Sequence, residues 1–223
     1  MSGHHPWPPP SREPEPQAEP EPRKRKKKRL PKVISGAEAA ALMAACDNGT
    51  PKGTRDLAIL ELMYRAGLRV SEVVGLAPRD VEEDGLVRLY DAKGGDGTAY
   101  FDPGRIMPVL ERWMVVRSDW GVADPTHLFT HRTGKPISTR YVQRLVKRLK
   151  AEIGVTGKLT PHVLRHTYAT ELIEEGLTLP EVSAALRHRN LATTAVYLWV
   201  RDEALRRKIG QRTSRDRLGD GTV

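Results

Sequence analysis

The chain has 223 residues, 39% hydrophobic and 29% charged, with a formal net charge of +9. That length gives room for one medium domain and a tail rather than two domains, and the single cysteine, Cys46, rules out an internal disulfide. No window approaches the roughly 18 consecutive apolar residues of a membrane span, and the N-terminus has no apolar secretory stretch, so a cytoplasmic location is expected.

Residues 1–22 alternate Pro with Glu and polar residues, a composition that cannot form a core and favours extended, solvated backbone. The run Arg23, Lys24, Arg25, Lys26, Lys27, Lys28, Arg29 follows. Residues 1–32 hold nine basic side chains against four acidic ones, so +5 of the excess sits in this tail and +4 in the remainder. Such a run is expected to stay flexible until it meets nucleic acid, where each neutralised phosphate releases condensed counterions; alternatively it is a solubilising or localisation tail. Order is expected over residues 33–213, with residues 214–223 a flexible end.

Ser35 and Glu38 form a capping-box pattern ahead of a helix over 36–47, stopped by Asn48 and Gly49. Cys46 falls in this Ala- and Leu-rich stretch, where a buried, inert thiol is the expectation. A second helix is predicted over 54–66, with Leu57, Leu60, Leu62, Met63 and Tyr64 on its apolar face, and a short third over 71–76. LVRLY and TAYFD, joined by KGGDG, predict an antiparallel hairpin, and a third strand is expected at 127–130. Helices are predicted over 138–152, 161–175, 179–187, 192–199 and 201–209, with Thr160-Pro161 a start signal and Gly154 a stop. The fold class is therefore α+β, mainly helical, with a small antiparallel three-stranded sheet at one edge.

TPHVLRHTYATEL places His162 and Arg165 three residues apart at the start of a helix, on one face and near backbone amides that favour an anion. Alone the pair is unspecific, since HxxR occurs on many solvated helices. Downstream, LRHRNLATTAVYLWV sets His188 nine residues before Tyr197, and upstream YRAGLRVSEVVGL puts Arg69 between two helices. Together these segments resemble the tyrosine recombinase or phage integrase family, whose signature runs tGlRxSE, HxLRH, then LGH and a Tyr. The resemblance covers about residues 33–210 and implies an integrase-like catalytic domain.

What the resemblance implies has a chemical rationale. A tyrosine hydroxyl, with a free pKa of about 10, is a poor nucleophile until a base or a positive field eases loss of its proton. Arg69 and Arg165 would supply that field, each a planar fork that grips the nonbridging oxygens harder as the pentacovalent phosphorane gathers charge. By resemblance Tyr197 is the nucleophile, His162 manages its proton, His188 bonds the phosphate, Lys93 at the hairpin protonates the departing 5′ oxygen, and Glu72 orients Arg69. The histidines' ordinary pKa near 6.5 suits both tasks. No metal and no cofactor are implied.

The implied function is site-specific recombination of double-stranded DNA through a 3′-phosphotyrosine link, with four protomers assembled on paired sites and DNA-bending accessory proteins as further partners. Two other readings stay open: a type IB topoisomerase, and a DNA-binding regulator on the same scaffold. The sequence departs from the family pattern at Arg187, where LGH reads LRH, and at the hairpin tip, where Gly95, Asp96 and Gly97 replace a basic GKGxKxR. Only the tail precedes Val33, whereas most family members carry a helical DNA-clamping domain ahead of the catalytic one. The chain is similar in size to fimbrial invertases, and the basic run is expected to stand in partly for the clamp.

Overall fold

A computed structural model describes residues 32–90, 96–188, 191–198, 200–202, 205–206 and 208–209. The first helix, α1 (Gly36–Cys46), starts where expected: the Ser35 hydroxyl accepts the Glu38 N–H at 3.2 Å and the Glu38 carboxylate accepts the Ser35 N–H at 2.7 Å. α2 (Pro51–Arg65) begins three residues before the predicted point, because Pro51 occupies the first helical position and the Thr50 hydroxyl caps Gly53 N–H at 3.0 Å. Its predicted apolar face is only part of what it buries: residues 55–64 are all buried, so α2 is the central helix. Even Arg55 and Asp56 are inside, paired with each other at 2.8 Å and joined by the Tyr141 hydroxyl and the Thr130 carbonyl.

After α3 (Val70–Gly75) and a 3-10 turn at Pro78–Asp80, β1 (Leu86–Leu89) pairs antiparallel with β2 (Gly97–Tyr100), Val87 opposite Ala99 and Leu89 opposite Gly97. The expected third strand does not join them. Residues 127–130 turn back on their own chain instead: Thr130 bridges Pro136, Ile137 N–H bonds to Phe129 O, and Leu128 N–H bonds to Leu76 O. The segment is fixed by its own turn and by the Leu76 carbonyl, and beside β1 the single bridge Val81–Val87 stands in the third place.

The longest helix, α4 (Pro103–Asp119), is absent from the sequence expectations. Pro103, Gly104 and Pro108 read as breakers, yet Pro103 is tolerated in the first turn and Asp102 caps it at Gly104 N–H. Ile106, Leu110, Trp113 and Arg117 make a buried stripe across Pro108 at three- and four-residue spacing. Trp113 anchors it, stacked on Phe129 with ring centroids 6.2 Å apart and its indole N–H on Leu128 O at 2.9 Å. α4 packs on α2, as do α1 and α6, and the resulting main core holds Cys46, whose thiol burial and the nearby Asp56 push up to about 12.

α5 (Thr139–Glu152), α6 (Pro161–Glu175) and α7 (Leu179–Ala185) follow the predicted pattern, α7 ending two residues early. Residues 191–197 form a 3-10 helix. A second, small hydrophobic cluster joins Ala169 and Ile173 of α6 to Leu179, Val182, Leu186, Tyr197 and Val200. Among the described residues no helix is long and apolar enough to cross a membrane.

Candidate active site

The site is assembled where three chain segments meet. Gly67, with φ of 60°, turns the chain out of α2 so that Arg69 caps α3, and a side chain at Gly67 would strike the Tyr168 ring of α6. Glu72, in the first turn of α3, accepts the Arg69 N–H at 2.7 Å and the Arg69 guanidinium at 2.6 Å. The oxygen that takes the Arg69 N–H, Oε2, also accepts Arg187 Nη2 at 2.7 Å, with Arg165 Nη1 at 3.9 Å. Three guanidinium groups therefore converge on one carboxylate, which leaves two positive charges uncompensated at the junction. Burial would raise the Glu72 pKa, but Arg187 and the Arg69 N–H outweigh it and hold the carboxyl below its usual range.

Arg165 projects from α6 into this junction and is 4% exposed. Its Nη1 and Nη2 donate to the carbonyls of Gly67 and Leu186, tying the turn before α3 to the end of α7. Burial, then the fields of Arg69 and Arg187, lower its pKa to about 10, still protonated at neutral pH.

His162 and His166 lie one turn apart on α6, ring centroids 4.1 Å from each other, and His166 Nδ1 hydrogen-bonds the Tyr197 hydroxyl. His188 contacts Thr194 Oγ1 at 2.9 Å through Nδ1, fixing its ring against the segment that carries Tyr197. Burial, assisted by Arg165, lowers the His162 pKa. Burial followed by His162 and Arg165 brings His166 to about 4, and burial followed by Arg165 and Arg69 brings His188 to about 4. His166 and His188 are therefore neutral well below the near-6.5 range of isolated histidines.

Tyr197 is 1% exposed and belongs to the small cluster. Burial raises its phenol to about 12, with Arg165 pulling the other way. The side chain is thus both a core aromatic and, at its oxygen, a partner of the histidine pair. Arg69, Glu72, His162, Arg165, His188 and Tyr197 are brought together; Lys93 and the basic run Arg23–Arg29 lie outside the described residues. His166, which sequence reasoning did not single out, makes the direct contact with the phenol. Its signal was present: it lies four residues from His162, on the same helical face. Among the described residues no three His, Cys, Asp or Glu side chains are placed to share a metal ion.

Residues 32–204 match the model of the phage integrase family. The chain is 35% identical over 192 residues to the tyrosine recombinase XerD of Ralstonia nicotianae, covering 80% of this chain and 59% of that protein. It is also 35% identical over 169 residues to the tyrosine recombinase XerC of Vibrio cholerae, covering 75% and 54%. The chain therefore spans little more than half the length of these curated relatives. Among solved structures, the XerA recombinase superposes with a TM-score of 0.72 at 27% identity, over 82% of this chain and 66% of that one. The XerH recombinase bound to its difH substrate shares the fold, with a TM-score of 0.67 at 23% identity over 76% and 50%. On the match across most of its length, this chain belongs to the phage integrase family.

Proposed function

We propose that this chain is a site-specific DNA recombinase that breaks and rejoins strands through Tyr197. The observation that carries the reading is the gathering of a tyrosine hydroxyl, two histidines and buried arginine charge at one junction of distant segments. Family membership supports it, as does the net charge of +9, which suits double-stranded DNA.

In this mechanism Arg69 and Arg165 hold the nonbridging oxygens of a backbone phosphate, where their fixed charge stabilises the pentacovalent state more than the ground state. The phosphate's own negative charge offsets the cations that depress the imidazoles, so His162, His166 and His188 regain basicity when DNA is bound. Tyr197 gives its proton to His166 and exchanges that hydrogen bond for the phosphorus, forming O–P while the P–O5′ bond breaks. Lys93 protonates the leaving oxygen. The free 5′ hydroxyl of a partner strand later reverses the attack, so the phosphodiester energy is conserved. Assembly of four protomers on two paired sites, DNA-bending accessory proteins and an auxiliary DNA contact by Arg23–Arg29 complete the proposal.

The test is covalent trapping on a nicked duplex whose cleaved fragment diffuses away. Wild type is expected to accumulate a protein–DNA adduct and Tyr197→Phe none; equal adduct from both proteins would refute Tyr197 as nucleophile.

A further inference from the structure

Resting on that strand-cleavage reading, we propose that Arg187 is a positioning residue: its guanidinium fixes the Glu72 carboxylate, and through Glu72 the Arg69 fork, at the phosphate site. Four independent contacts converge on this residue. Its side chain, 12% exposed, donates Nη2 to Glu72 at 2.7 Å and Nη1 to the Ala185 carbonyl at 2.9 Å. Its own carbonyl accepts Arg69 Nη2 at 3.4 Å, so Arg187 grips the Arg69–Glu72 pair from both members. Its aliphatic stem lies on Gly97 at the start of β2, where a Cβ would sit 3.2 Å from Arg187 Cδ. Glycine at 97 thus leaves room for the arginine.

The backbone adds the second line of argument. Arg187 has φ of 53°, the left-handed region, and among the described residues no other non-glycine residue does. That conformation costs a non-glycine residue roughly 1 kcal/mol or more. Its buried Nε also finds no hydrogen-bond partner among the described residues. A glycine here would adopt the same φ freely and bury no donor. Strain and an unpaired donor at one position persist where the surrounding contacts over-determine the conformation, and here those contacts run to the groups that would hold the phosphate.

The fork geometry accounts for the choice of arginine. Nη2 reaches Glu72 while Nη1 is held by the Ala185 carbonyl, so the guanidinium plane cannot rotate away from the carboxylate. Glu72 in turn has both oxygens engaged and the Arg69 N–H fixed, which leaves Arg69 one orientation towards an incoming anion.

The experiment is single-turnover adduct formation on the nicked duplex by wild type, Arg187→Gly, Arg187→Met, Glu72→Gln and the Arg187→Gly/Glu72→Gln double variant. DNA affinity and folded fraction are measured on the same samples. Both Arg187 variants should cleave roughly tenfold or more slowly, because a small displacement of an orienting group costs rate steeply, while DNA affinity stays within about twofold. Methionine keeps the stem against Gly97, so its loss isolates the guanidinium. The double variant should be no slower than Glu72→Gln alone, since the two residues act through one path. Cleavage by Arg187→Met at the wild-type rate, a loss wholly explained by weaker DNA binding, or multiplicative losses in the double variant would each overturn the assignment. An inert wild type would remove the reaction itself, and this role with it.

Discussion

Replacing Glu72 by glutamine removes the counter-charge from a carboxylate shared by three arginines. Arg165 and Arg187, with side chains 4% and 12% exposed, are then left as buried cations. Removing one partner from a buried ion pair costs about 3 kcal/mol at the lower end of the observed range, the applicable end here because the amide still accepts one hydrogen bond. The Arg69 contact is 42% exposed on the arginine side, so screening holds its share below about 1 kcal/mol. The sum, about 3 to 4 kcal/mol, corresponds to a melting temperature roughly 10 °C lower for a domain of this size. A total stability of about 5 to 15 kcal/mol leaves the variant folded at room temperature. Urea unfolding followed by far-ultraviolet circular dichroism measures the difference. The pH dependence supplies a sign: the Glu72 pKa is lowered on folding, so the advantage of wild type over Glu72→Gln is present above the unfolded value near 4.5 and is lost as pH falls through the folded one. A difference below about 1 kcal/mol at neutral pH would refute the idea that Glu72 neutralises buried charge.

His166→Ala should slow adduct formation by about a hundredfold if His166 receives the Tyr197 proton; an unchanged single-turnover rate would move that role to His162. Tyr197→Phe should cost only about 1 kcal/mol of stability, because the ring stays in the small cluster and one hydroxyl bond to His166 is lost, as chemical denaturation would show. Gly67→Ala forces a side chain into the left-handed region with its Cβ 2.4 Å from Tyr168 Cδ1, and should destabilise by roughly 2 to 4 kcal/mol in the same assay. For wild type, His166 and His188 have folded pKa values of about 4 against 6.5 unfolded, so the unfolded chain binds protons the native one refuses. Stability should therefore decline as pH is lowered from about 6.5 towards 4, and a flat urea midpoint between pH 7 and 5 would count against neutral, buried imidazoles.

How much of this was legible in the sequence follows from where each determinant lies. Caps and stops are local, so Ser35–Glu38 and Thr160-Pro161 mark their helices to the residue. The α4 stripe was local too, but Pro103, Gly104 and Pro108 masked it: Pro103 sits in the first turn, where proline is tolerated, whereas Pro108 stands inside the helix, where the buried stripe outweighs its cost. The strand expected at 127–130 failed for a different reason: a short segment of strand-favouring residues does not say whether its partner is a sheet edge or its own turn, and here the Leu76 carbonyl and Pro136 decided. The motifs named most of the site side chains. They could not tell which of His162 and His166 would face Tyr197, because both lie on the same face of α6 and the approach of residues 191–197 chooses between them. Nor could they show that Arg187 folds inward to Glu72, a contact spanning more than a hundred residues.

The two-cluster partition of the interior bears on how the chain could move. Tyr197 and Val200 are fastened to the minor assembly with α7, whereas α1, α2, α4 and α5 are fastened to the major one. Detaching the minor assembly exposes a fraction of the apolar area that global unfolding does, so its opening free energy is correspondingly smaller. Backbone amides of α7 should therefore exchange with deuterated solvent faster than those of α2, and the phenol can be uncovered to its substrate while the scaffold beneath it keeps its shape.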